Sequence, residues 1–140
     1  MISWLKPPMG WLKCNVDAGF HHNLNKTSAG WCVRDNLGRF MKAGTTWKRA
    51  KFSVGEGEAL ALLEAMKVME NERATQVIFE TDSKCVVDAI DNFGTSEFSA
   101  IICNVKRIFS SNPNFMVKFI KRQANMVAHM LARAAISWSS

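Results

Sequence analysis

Leu12, Cys14, Val16, Ala18 and Phe20 alternate with Lys13, Asn15 and Asp17. A period of two over that length makes a β-strand with one apolar and one polar face. Two more strand-like runs follow, Ala29 to Arg34 and Arg39 to Trp47, and Asp35-Asn36-Leu37-Gly38 between them carries turn chemistry. The first three strands are therefore expected to form an antiparallel meander. The pattern then turns helical. From Ser53 or Gly55 to Glu70, the residues Ala59, Leu62, Leu63, Met66 and Met69 gather on one side. Gln76 to Thr81 is a short strand, and a helix is expected from Asp82 to about Ile90. Gly94-Thr95-Ser96 ends that helix and caps the next, Glu97 to Phe109. Phe115 to Ile120 is the last strand. A final helix runs from Asn125 to about Trp138, with Val127, Met130, Leu131, Ala134 and Trp138 as its core stripe. The order β-β-β-α-β-α-α-β-α predicts an α/β fold.

A chain of 140 residues, 48% hydrophobic and 21% charged, suits one globular domain. Residues 11–140 are read as that domain, and residues 1–10, with two prolines, as an extended leader or the cut end of a longer chain. No apolar run approaches the roughly 18 residues that span a bilayer, and the start lacks a signal peptide's apolar segment. No membrane association is expected. Cys14, Cys32, Cys85 and Cys103 show no CxxC pair or zinc spacing, so they are read as reduced core residues of an intracellular, non-secreted protein. The formal charge of +6 is unevenly placed: after Glu97 there is no acid, but Lys106, Arg107, Lys118, Lys121, Arg122 and Arg133 remain. A polarised basic surface suits a polyanion, because phosphate contacts gain from counterion release. A merely solubilising surface is the other reading.

Three acids stand at chemically telling places. Glu58 heads the line Glu58, Leu62, Ala65, Met69 on the flank of the apolar stripe. A carboxylate there needs a cation or strong donors, although a helix N-terminus also favours an acid. Asp17 lies on the polar face of the first strand, where a solvated acid is the alternative. Asp82 follows a strand; it is an N-cap, or Ser83 caps and Asp82 points beyond the strand's carboxyl end. If the three converge, hard oxygen ligands suit Mg²⁺ or Mn²⁺. His21-His22 has no partner at metal-site spacing and reads as a loop, and most of the five tryptophans read as core.

The chain resembles the ribonuclease H domain of plant retroelement-derived proteins. The stretches that carry the resemblance are Trp4-Leu5-Lys6-Pro7-Pro8, Leu12 through Ala18, Val33-Arg34-Asp35 and Glu58-Ala59-Leu60-Ala61-Leu62. Phe79-Glu80-Thr81-Asp82-Ser83 and Asn125 through Ala132 complete the set. The resemblance implies a ribonuclease H-like fold: a five-stranded mixed sheet, three antiparallel strands then parallel additions, with helices on both faces. It implies hydrolysis of the RNA strand of RNA/DNA hybrids with two divalent ions, roughly 3.5–4 Å apart. Asp17, Glu58 and Asp82 match the family's first three metal-binding carboxylates, and Glu58 would also orient the 2′-hydroxyl.

Three departures stand out. His129 aligns with the family's fourth acid, and an imidazole ligand suits Mn²⁺ better than Mg²⁺. The loop Lys121-Arg122-Gln123-Ala124 lacks the histidine that many relatives carry there, and Val54-Gly55 replaces polar residues that touch RNA in relatives. The expected function is a weak or Mn-preferring ribonuclease H, within a larger polypeptide. The alternative is a catalytically degenerate nucleic-acid-binding module. Lys106, Arg107, Lys118, Lys121 and Arg122 are candidate phosphate contacts. Ala18 and Gly19 after Asp17, Ser83 and Lys84 after Asp82, and Asn125 before the last helix are further candidate nucleic-acid contacts.

Overall fold

β1, Leu12–His21, is the middle strand of a five-stranded sheet ordered β3-β2-β1-β4-β5. In the computed structural model residues 4–91 and 99–134 are described. β2 (Lys26–Arg34) pairs antiparallel with β1, and β3 (Phe40–Lys48) antiparallel with β2. β4 (Val77–Thr81) lies parallel to β1 on its other side, and β5 (Phe115–Phe119) parallel to β4. The helices are α1 (Val54–Asn71), α2 (Lys84–Asp91), α3 (Ser99–Ser111) and α4 (Met126–Ala134). This is the mixed sheet expected from the sequence. The expected cap at Gly94-Thr95-Ser96, the helix start at Glu97 and the helix end at Trp138 lie outside the described residues.

Local chemistry explains the α1 start. Ser53 Oγ accepts from Glu56 N, and Glu56 Oε1 accepts from Ser53 N, so two amides with no partner inside the helix are satisfied together. Cys14, Val16 and Ala18 then pack under α1 with Ala59, Leu62 and Met66, all buried.

The opposite face of β1 is covered as well, and this changes the expectation for its polar residues. Lys13, Asn15 and Asp17 are buried rather than solvated. Such groups need partners. Lys13 Nζ lies 3.1 Å from Glu80 Oε2, and Asn15 Nδ2 donates to Glu80 Oε1 at 3.1 Å.

α4 lies on that face with its sides reversed from the expectation. Val127 and Met130, assigned to its core stripe, are exposed, Met130 by 63%. Ala128 and Ala132 are the residues fully buried. Backbone proximity is the reason. A Cβ on Gly30 would stand 2.5 Å from Ala132 N and 2.6 Å from Ala128 O; one on Gly19 would stand 2.9 Å from Ala132 O. Small residues on both sides let helix and sheet meet almost backbone to backbone, and the Ser28 hydroxyl donates to the Ala132 carbonyl. A stripe chosen by side-chain size cannot find that face.

Two smaller expectations also change. Cys14 and Cys32 are buried, but Cys85 and Cys103 are exposed, because Val86, Ile102 and Val105 supply the inward faces of α2 and α3. Of the described tryptophans only Trp31 is buried. Trp4 sits beneath Lys13 and Arg34, and Trp47 beneath Lys26 at 3.9 Å.

Candidate active site and metal centre

The site forms where β4 runs out. The parallel register of β1 and β4 ends with Val16 beside Thr81, and the next residues along the two chains are Asp17 and Asp82. Ser83 takes the cap of α2, its Oγ accepting from Val86 N at 3.3 Å, which leaves the Asp82 carboxylate free of that duty. Glu58 reaches the same point from the opposite face of the sheet, one turn into α1. Its Oε1 accepts from Ala18 N at 2.7 Å, which pins the carboxylate to β1. One oxygen from each of Asp17, Glu58 and Asp82 lies within 4.8 Å of the other two.

Three carboxylates this close repel one another. Burial pushes the Glu58 carboxyl up to about 9, and the charges of Asp17 and Asp82 add to the rise. Burial and Asp17 also raise Asp82, with Arg122 and Asn125 pulling the other way. Arg122 Nε stands 3.6 Å from Asp82 Oδ2, near enough to attract but too long for a hydrogen bond. Asp82 Oδ2 and Asp17 Oδ1 are thus buried acceptors with no hydrogen-bond donor. Buried, unbonded oxygens on clustered acids fit a divalent cation, and an all-oxygen donor set fits a hard one such as Mg²⁺ or Mn²⁺.

His129 stands beside this cluster. Its Nδ1 is 2.6 Å from Asp17 Oδ2, and a carboxylate only accepts, so the ring N–H donates. Arg122 Nη1 lies 3.3 Å and 3.5 Å from the two ring nitrogens. Of the three acids Glu58 lines a cleft of about 610 Å³, whose walls include Phe20, His21, Val54, Arg122, His129 and Arg133.

A sequence profile described as reverse transcriptase-like matches residues 15–135. The chain belongs to the reverse transcriptase-like family. An Arabidopsis thaliana protein with the provisional name ribonuclease H protein is 26% identical over 142 residues. That match takes in 99% of this chain but only 23% of the relative, so the chain spans about a quarter of the relative's length. Among solved structures, ribonuclease H1 of the archaeon Halobacterium salinarum superposes with a TM-score of 0.83 at 14% identity, over 92% of this chain and 99% of that one. A ribonuclease H1 called LC11, solved with an RNA/DNA hybrid, gives 0.79 at 17% identity over 90% and 96%. A foamy viral protease-reverse transcriptase, also solved with a hybrid, gives 0.71 at 14% identity over 96% of this chain and 22% of that one. The sheet and helices of this reverse transcriptase-like domain are those of the ribonuclease H fold.

In this family member the expected residues divide. Asp17, Glu58, Asp82 and His129 come together, with Ala18, Gly19 and Arg122 lining the same cleft. Ser83 and Lys84 follow Asp82 at the start of α2. Asn125, expected as a nucleic-acid contact, is buried instead, and its amide is spent inside the fold on Asn15 and Val16. Lys106 lines a different cavity, about 510 Å³, with residues of α2, α3 and β5. Arg107, Lys118 and Lys121 are exposed. Sequence reasoning did not place His21 and Arg133 at the site. Signals existed for both: period two puts His21 on the face of Asp17, and a spacing of four puts Arg133 beside His129.

Proposed function

We propose that this chain is a metal-dependent endonuclease that hydrolyses the RNA strand of RNA/DNA hybrids. The observation that carries this reading is the convergence of Asp17, Glu58 and Asp82 within 4.8 Å, with two of their oxygens buried and unbonded. Those residues would hold Mg²⁺ or Mn²⁺. When bound, divalent ions would neutralise the phosphate, generate the nucleophile from water and offset charge on the departing 3′-oxygen. Asp17 is oriented by His129, Glu58 by the Ala18 amide, and Asp82 has no cap to serve. Arg122 and Arg133 put two permanent positive charges on the wall of the cleft, where a phosphate backbone would need them. The complexes of two fold relatives with RNA/DNA hybrids support the substrate class. The length of the Arabidopsis relative and the reverse-transcriptase fold relatives support a setting within a longer polypeptide.

A second reading, a domain that binds hybrids without cutting them, is favoured by one observation. His129 answers Asp17 with a hydrogen bond where the resemblance puts a fourth carboxylate. Cleavage of an end-labelled hybrid in Mg²⁺ and in Mn²⁺, beside an Asp82→Asn control, separates the two. Loss of the RNA strand that the control abolishes supports the enzyme; a bound but uncut hybrid in both metals selects the binding module.

A further inference from the structure

Trp4 is joined to the active-site helix by a line of hydrogen bonds, half-buried at Trp4 and buried beyond it. Its Nε1–H donates to Asn15 Oδ1 at 2.8 Å. Asn15 Nδ2 donates to Glu80 Oε1 and to Asn125 Oδ1, each at 3.1 Å. Asn125 Nδ2 in turn donates to the carbonyl of Val16 at 2.7 Å, one residue before Asp17. The next residue, Met126, begins α4, which carries His129 onto Asp17. Lys13 ties down the same segment, its Nζ donating to the Leu5 carbonyl at 2.7 Å while it pairs with Glu80.

The chemistry of the ends gives this relay a direction. An indole N–H only donates, and an ionised glutamate only accepts. Trp4 and Glu80 therefore fix which end of the Asn15 amide is oxygen, and that choice aims its NH₂ at Asn125. Asn125 must then accept from Asn15 with its oxygen and donate to Val16 with its nitrogen. A flipped amide anywhere along the line would set donor against donor or oxygen against oxygen in a buried place, at considerable cost.

We propose that Trp4 is a positioning residue for the active site: through Asn15 and Asn125 it sets how α4 presents His129 to Asp17. It touches none of the reacting groups. It would act on turnover rather than on substrate affinity, because the cleft walls that face the hybrid lie elsewhere. The kinetic half of this proposal rests on the ribonuclease reading; the structural half does not.

The test replaces Trp4 by β-(3-benzothienyl)alanine, which keeps the bicyclic shape and the cation contacts but has no N–H, with Trp4→Phe as the encodable counterpart. Two signals are followed in the full chain: kcat and KM on an RNA/DNA hybrid in Mn²⁺, and the NMR signals of the Asn125 side-chain amide and the His129 imidazole. The expected result is a kcat lowered roughly tenfold with KM unchanged, the lower end of the loss for partners that orient metal ligands, together with shifted Asn125 and His129 signals. Unmoved His129 signals overturn the proposal, as does an unchanged kcat in a protein that cleaves. If the parent chain does not cleave at all, the ribonuclease reading fails and the His129 signals alone decide the relay.

Discussion

Glu58 Oε1 takes the hydrogen of the Ala18 amide at 2.7 Å and so holds its carboxyl against the charges of Asp17 and Asp82. Its folded value, about 9, is far above its ordinary 4.5, so the metal-free protein takes up a proton when it folds. The stability from this group is fully present below about 4.5 and is lost as pH rises through about 9; Asp82 is shifted in the same direction. In a chelator the melting temperature should therefore fall as pH climbs across that window, and saturating Mn²⁺ should remove most of the slope. Thermal denaturation at several pH values, with and without the metal, checks this; a flat profile in chelator contradicts it.

Glu58→Gln keeps an acceptor for the Ala18 amide and removes the charge. Above neutral pH the metal-free variant is expected to be more stable than the parent, by roughly 1–3 kcal/mol, since an uncompensated buried acid is gone. It should lose the additional stability that Mn²⁺ confers on the parent. Denaturant melts in chelator and in Mn²⁺ read both effects.

His129→Ala leaves Asp17, buried to 1% exposure, with neither oxygen bonded, and should cost about 1–3 kcal/mol in chelator. His129→Asp adds a fourth charge to the cluster. It should destabilise the metal-free protein further yet raise the stabilisation by Mg²⁺ and speed Mg²⁺-supported cleavage. An unchanged Mg²⁺ response in the Asp variant would count against a metal-site position for residue 129.

Gly30→Ala would force a methyl group into the backbone of α4 and is expected to cost about 1–3 kcal/mol. Met130→Ala, on the exposed side of the same helix, should stay within about 0.5 kcal/mol of the parent. The reverse ranking in denaturant melts would mean α4 packs through its large side chains after all.

Arg133→Ala removes a cation from the cleft wall. It should weaken hybrid binding across sequences and reduce the slope of log affinity against log salt by about 1. Binding titrations at several salt concentrations measure it.

What the sequence made legible follows from where its patterns were periodic. β1 and α1 bury regular apolar stripes, so their extents and the order of elements could be read closely. The expected start of β2 at Ala29 missed Lys26-Thr27-Ser28, because polar residues there are paired with β1 rather than turned to solvent. α4 failed for a physical reason: its contact is made by Ala128 and Ala132 against glycines, and hydrophobicity scales see large side chains. Glu58 was legible as an acid on an apolar flank. Asp17 was not separable from a solvated acid, since only α4 lying over β1 buries it. Arg133 and His21 required knowing that the cleft opened between them.

The spacing of α4 from the sheet is set by atoms that are not there. At Gly19 and Gly30 the sheet offers bare backbone, and α4 rests on it through methyl groups at most. Apart from the Ser28 hydroxyl, itself held by the Ala132 carbonyl, a contact of this kind has little that could change rotamer and yield. The height of α4 above the sheet is for that reason a fixed tolerance, which leaves its turn and register to be set from its end, and adding a single carbon beneath the helix would move the imidazole with it.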